Sequence, residues 1–63
     1  MRVAVNVQNG VDGNGKAVYR KEIYGESSET KPTESIATGS LFIEVDTGDA
    51  YFFSESSNAW IKQ

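Results

Sequence analysis

The sequence has no cysteine, no histidine, a single proline and no apolar run of membrane-spanning length. Without cysteine there is no disulfide and no thiolate metal site, and without histidine the commonest metal ligand and the commonest general base are missing too. Only scattered carboxylates and hydroxyls remain for chemistry, and none stands in a nucleophile or acid–base arrangement. No enzyme, catalytic residue, cofactor or metal is therefore expected. After Met1-Arg2 the chain alternates Val with polar residues instead of forming the continuous apolar stretch of a signal peptide, so a soluble protein made inside a cell is expected.

Positive charge is also scarce: six Lys and Arg stand against nine Asp and Glu, a net charge of −3. Its distribution is uneven. Residues 1 to 24 carry Arg2, Lys16, Arg20 and Lys21 against Asp12 and Glu22, a balance of +2. Residues 25 to 63 carry Lys31 and Lys62 against seven acids, a balance of −5. The halves are expected to attract, within one subunit or between subunits. No basic stripe is present that would neutralise several phosphates, so nucleic acid is not an expected partner, and without a membrane-length apolar stretch neither is a membrane.

At 63 residues the chain is one domain near the lower limit for folding by its own burial, since a domain of this size buries only about 60% of its unfolded surface. Three Phe, three Tyr and one Trp are enough to build a small core. With disulfides and metals excluded, oligomerisation is the staple left.

The most structured stretch is Leu41 to Gln63. Leu41–Val45 and Ala50–Ser54 are rich in β-branched and aromatic residues, and Asp46-Thr47-Gly48-Asp49 between them are turn formers, which predicts a hairpin. Glu55-Ser56-Ser57-Asn58 breaks the pattern before Ala59-Trp60-Ile61 resumes it, predicting a third strand. A type I turn with Gly48 left-handed sets Ile43 opposite Tyr51 and Phe42 with Phe52 behind the sheet; a four-residue loop sets Ile43 opposite Phe52 and Phe42 opposite Phe53. Either closure puts a Phe on each face. One face is expected to cover the domain's own core and the other to pack on a partner or on the N-terminal half.

Upstream, Val3, Val5 and Val7 alternate with polar residues as a half-buried strand, and Asn9-Gly10 with Asp12-Gly13-Asn14-Gly15 turns the chain back. Ala17–Tyr24 is the next strand candidate, with Ala17, Tyr19 and Ile23 on one side and Val18, Arg20, Glu22 and Tyr24 on the other; a short helix is the alternative, and Gly25 ends either. Residues 25–40 read as a polar linker, with room for one helical turn over Thr33–Ala37 anchored by Ile36. A linker this long also raises the alternative that the N-terminal arm crosses to a neighbouring subunit.

Two motifs yield to plainer readings. Asp46-Thr47-Gly48 is spelled like the active tripeptide of retroviral-type aspartic proteases, but the hairpin explains each of its residues. Asp12-Gly13-Asn14-Gly15-Lys16 begins like a calcium loop and fails where Lys16 and Ile23 occupy ligand positions. The aromatics Phe42, Tyr51, Phe52, Phe53 and Trp60 are the candidate binding residues. They suit a core or subunit interface better than a stacking platform for sugars or bases.

The run Gly39-Ser40-Leu41-Phe42-Ile43-Glu44-Val45-Asp46-Thr47-Gly48-Asp49-Ala50-Tyr51-Phe52-Phe53, closed by Ala59-Trp60-Ile61 and preceded by Lys31-Pro32-Thr33, resembles the small β-module of tailed-phage and prophage virion proteins. The resemblance covers roughly the last 25 residues. It implies a non-catalytic structural or decoration protein of the virion, made in the bacterial host cytoplasm, whose partners are copies of itself or another virion protein. The expected fold is all-β: a small antiparallel meander of four to five short strands, oligomeric, with N-terminal strands in 1–24, the linker in 25–40 and a three-stranded meander in 41–63. Two alternatives remain beside it, a small glycan-binding module and an acidic accessory protein that inhibits a host protein.

Overall fold

The computed structural model describes residues 1–63 and contains no helix. Its five strands are β1 (Arg2–Val11), β2 (Ala17–Gly25), β3 (Leu41–Glu44), β4 (Ala50–Ser54) and β5 (Ala59–Lys62). They form one sheet in chain order, β1-β2-β3-β4-β5. The pairings are antiparallel except for β2–β3, which is parallel, with Ile23 opposite Phe42 and Tyr24 opposite Ile43. A parallel pair needs a crossover of about a dozen residues or more, and the polar segment 26–40 is long enough to supply it.

That segment is laid across one face of the sheet. It leaves β2 in a turn in which the Glu29 N–H donates to the Glu26 carbonyl (3.1 Å), and it is tied to the β3–β4 loop by the Ser27 N–H donating to Asp46 Oδ1 (2.9 Å). It returns to the sheet as an extended piece, not the expected helical turn. Ser35 sits at φ +58° and Ile36 forms a parallel bridge with Tyr19. The reason is local: beyond the start of β3, β2 still offers backbone groups at Tyr19, and these bond the Ser35 carbonyl (2.8 Å) and the Ala37 N–H (2.9 Å). Ile36 does act as the anchor, being almost wholly buried. The gap between this bridge and β3 is filled by Ser40, whose buried Oγ accepts from the Lys21 N–H (3.0 Å) and donates to the Tyr19 carbonyl (3.4 Å).

The β3–β4 hairpin closes in neither expected register. Leu41 faces Phe52, Phe42 faces Tyr51 and Ile43 faces Ala50. Val45 leaves the strand and becomes the first residue of a four-residue loop, closed by the Gly48 N–H donating to the Glu44 carbonyl (2.7 Å) with Gly48 at φ +79°. Glycine adopts that conformation without steric penalty. Phe42 and Phe52 therefore lie on opposite faces, contrary to the first closure, while each face still carries a Phe.

In β1 the register shifts between Val3, opposite Ile23, and Val5, opposite Glu22. This bulge at Ala4 puts Val3 on the face of Ile23 and turns Val5 and Val7 to the other, so the three valines do not form the single stripe their spacing predicts. The hydrophobic core is Val18, Ile23, Ile36, Ala37, Phe42 and Phe53.

Candidate functional site

The two faces of the sheet differ in what covers them. The inner face carries Ile23, Phe42, Tyr51, Phe53 and Trp60, and the crossover lies over it. Trp60 packs edge-on against Phe42 (ring centroids 5.9 Å apart, 68°) and Phe53 (5.1 Å, 64°), the T-shaped geometry that aromatic quadrupoles favour. Its indole Nε1–H donates to the Pro32 carbonyl (2.8 Å), fastening the crossover to β5. Four of the five candidate aromatics are thus gathered here, and they are committed to the fold.

Lys31 completes this layer. Its ammonium donates to Glu44 Oε2 at 2.7 Å and stands over the rings of Tyr51 (4.2 Å) and Phe42 (4.9 Å). Burial would make the near-fully buried Glu44 unfavourable as an anion. The Lys31 hydrogen bond outweighs that and holds its carboxyl below the ordinary value, with the Thr47 hydroxyl (2.9 Å) helping. Sequence reasoning missed this pair, although a signal was present. Glu44 follows Phe42 by two residues, so strand alternation places both on one face, and an inward carboxylate requires a cation.

Asp46 is a strut. Its carboxylate accepts from both the hydroxyl and the N–H of Ser27, and the hydroxyl bond above all keeps its carboxyl below the ordinary value. Asp12 likewise serves its own turn, its Oδ1 accepting from the N–H groups of Asn14 (2.8 Å) and Lys16 (3.0 Å). At this end of the sheet the loops enclose a cleft of about 380 Å³, with Asp12 and Glu55 at its wall and the buried Val18, Ile36 and Phe53 also lining it. No group of three His, Cys, Asp or Glu is assembled that would hold a metal ion, and no helix is long and apolar enough to cross a membrane.

The outer face has no cover over β3 to β5 and the end of β2 at residues 22–24, although Val18 at the far end of β2 is buried. One row runs across all five strands as Val5, Glu22, Leu41, Phe52 and Ile61, and a second runs Arg2, Tyr24, Ile43 and Ala50. Phe52 is 44% exposed, Ile61 48% and Tyr24 39%, and Val7, farther along β1, is 57% exposed. The only acid in these rows, Glu22, is bonded to Arg20 at 3.2 Å. Of the five candidate aromatics only Phe52 belongs to this face. Leu41, Ile43 and Ile61 join it because of the hairpin register, which the sequence alone left between two closures. Open, contiguous apolar patches on small proteins are often interaction sites. Comparisons with protein-family models, with curated proteins and with solved structures each found no match, so the two faces of this sheet carry the functional reading.

Proposed function

We propose that this chain is a non-enzymatic structural protein that works by packing its open sheet face against protein, and that it serves as a virion or decoration component of a tailed phage or prophage. The observation that carries the packing reading is the outer face. A five-stranded sheet has an inner side sealed by its own crossover, while its outer side leaves Tyr24, Phe52 and Ile61 open to solvent. A one-layer sheet normally buries its second apolar face against another layer, and the five strands and crossover of residues 1–63 leave this one uncovered. The virion assignment rests on the resemblance of the last 25 or so residues to phage β-modules. The partners proposed are other copies of the chain, another virion protein, or both.

The saccharide-stacking alternative has less to rest on. Trp60 and Tyr51, the rings it would use, are held under Pro32 and Lys31. Particles purified on a density gradient from a host carrying the gene within a prophage test the proposal. The chain is expected to co-sediment with the particles and to be lost from them when Phe52 and Ile61 are both changed to Glu. Absence of the wild-type chain from purified particles would remove the virion assignment.

A further inference from the structure

Resting on the packing reading above, we propose that the occupant of the outer face is a second copy of this chain, docked face to face about a two-fold axis to make a two-layered β-sandwich. Three observations select a second copy. The first is charge. Of the nine acids, Asp12, Glu26, Glu29, Glu34, Glu44, Asp46, Asp49 and Glu55 all lie in turns, in the crossover or on the inner face, and Glu22 alone is on the outer face, paired with Arg20. A basic partner finds no free carboxylate there, and an acidic partner finds little beyond Arg2. A second copy meets a surface that is apolar over β3 to β5, with Arg2 out on the β1 edge, so no unpaired charge is buried at the centre of the contact.

The second is shape. A twisted sheet packs on another sheet at about 10 Å with a crossing near −30°, and a two-fold axis makes one patch complementary to itself. Leu41, Ile43, Phe52 and Ile61 occupy β3 to β5, where the outer face is most apolar, so the axis falls over this half and leaves Arg20 and Glu22 at the margin.

The third is area. A fully exposed aromatic side chain presents about 200 Å², so the open fractions of Phe52 and Tyr24 leave roughly 80 Å² each. With Ile61 and the half-buried Leu41 and Ile43 the patch reaches roughly 300–400 Å², Val7 lying outside it on β1. Two such patches with their polar margins remove somewhat under about 1,000 Å² in total, at the low end for a specific interface, so the dimer is expected to be weak and to dissociate on dilution.

Sedimentation equilibrium of the full chain from about 1 to 500 µM tests this, with the mass expected to rise from 6.9 kDa to twice that value. Phe52→Glu and Phe52→Lys each place like charges across the axis and are expected to weaken self-association by at least about 100-fold, while an equimolar mixture of the two restores a dimer. Far-UV circular dichroism and the emission of Trp60, on the inner face, check that both variants are folded. A chain that stays monomeric at about 500 µM overturns the inference. So does a dimer that neither Phe52 variant weakens, since its contact would lie elsewhere, such as the β1 edge. If the wild type is monomeric and still co-sediments with particles, the packing reading stands with another occupant. If it dimerises through Phe52 but is absent from particles, the inference stands and the virion reading falls.

Discussion

Phe42, Phe52 and Phe53 are neighbours in one hairpin, and truncating each to Ala separates the two faces of the sheet by energy. Phe42 is 0% exposed and touches Trp60, Lys31 and the backbone at Gly25, so Phe42→Ala removes a full ring and leaves a cavity. Such a change is expected to cost about 3–5 kcal/mol, and the buried Phe53 about the same. Just over half of the Phe52 ring is shielded, on the order of 100 Å², which at about 25 cal/mol per Å² bounds its loss at roughly 2.5 kcal/mol. Partial burial in the unfolded chain and the area retained by Ala bring this nearer 1 kcal/mol, with no cavity to add. A domain of 63 residues has on the order of 3–9 kcal/mol in total. Phe42→Ala is therefore expected to be partly or wholly unfolded in buffer, and Phe52→Ala folded. The assay is urea unfolding by far-UV circular dichroism at low micromolar concentration, where self-association adds least. Phe42→Leu, at roughly 1–2 kcal/mol, supplies a measurable midpoint if the Ala variant does not fold. A Phe52→Ala loss equal to that of Phe42→Ala would refute the hairpin register, because it would put both rings on one face.

Four further outcomes follow from the inner layer and the polar contacts around it. A Cβ at Gly25 would stand 2.8 Å from the Phe42 ring, so Gly25→Ala is expected to cost about 1–3 kcal/mol, with part recovered in the double variant with Phe42→Leu; equal losses in both backgrounds would deny the contact. Trp60→Phe keeps a ring but leaves the Pro32 carbonyl without its donor, an expected loss of about 1 kcal/mol by urea titration. Glu44, Asp46 and Glu29 all have folded values depressed, chiefly by Lys31, by the Ser27 hydroxyl and by the terminal ammonium respectively. A depressed carboxyl contributes stability above its unfolded value and loses it as pH falls through the folded one, so the urea midpoint should drop on acidification below about pH 4.5, less steeply in Glu44→Gln. Lys62 is raised by Asp49, and its contribution should fade only as pH climbs past 10.5. A midpoint that rises on acidification would contradict this account.

Much of the sheet was legible because its signals are local. Alternation and turn residues located the β1–β2 hairpin and the three C-terminal strands, and Ile36 was identifiable as the one large apolar side chain in a polar segment. Three features were not legible, each for a physical reason. The parallel β2–β3 seam joins residues about twenty apart, and nothing in either strand states which edge the returning chain will take. The register of the β3–β4 loop turned on Val45, a strong strand former that the loop nonetheless takes as its first residue. The bulge at Ala4 changes the facing of Val5 and Val7 without any glycine to announce it. These two shifts of one residue determine the outer face, so the candidate site was harder to read than the fold that carries it.

The parallel seam also sets the order in which the chain becomes protected as it is made. The β1–β2 hairpin is complete in the polypeptide by Gly25, yet Ile23, which ends wholly buried, meets Phe42 only after seventeen more residues have been added. At about 5–20 residues per second, Phe42 is added on the order of one to a few seconds after Gly25, and until it pairs the inner side of the hairpin is bare. During that interval its two faces are equally open, and only the arrival of β3 beneath the crossover distinguishes the side that becomes core from the side left for a partner.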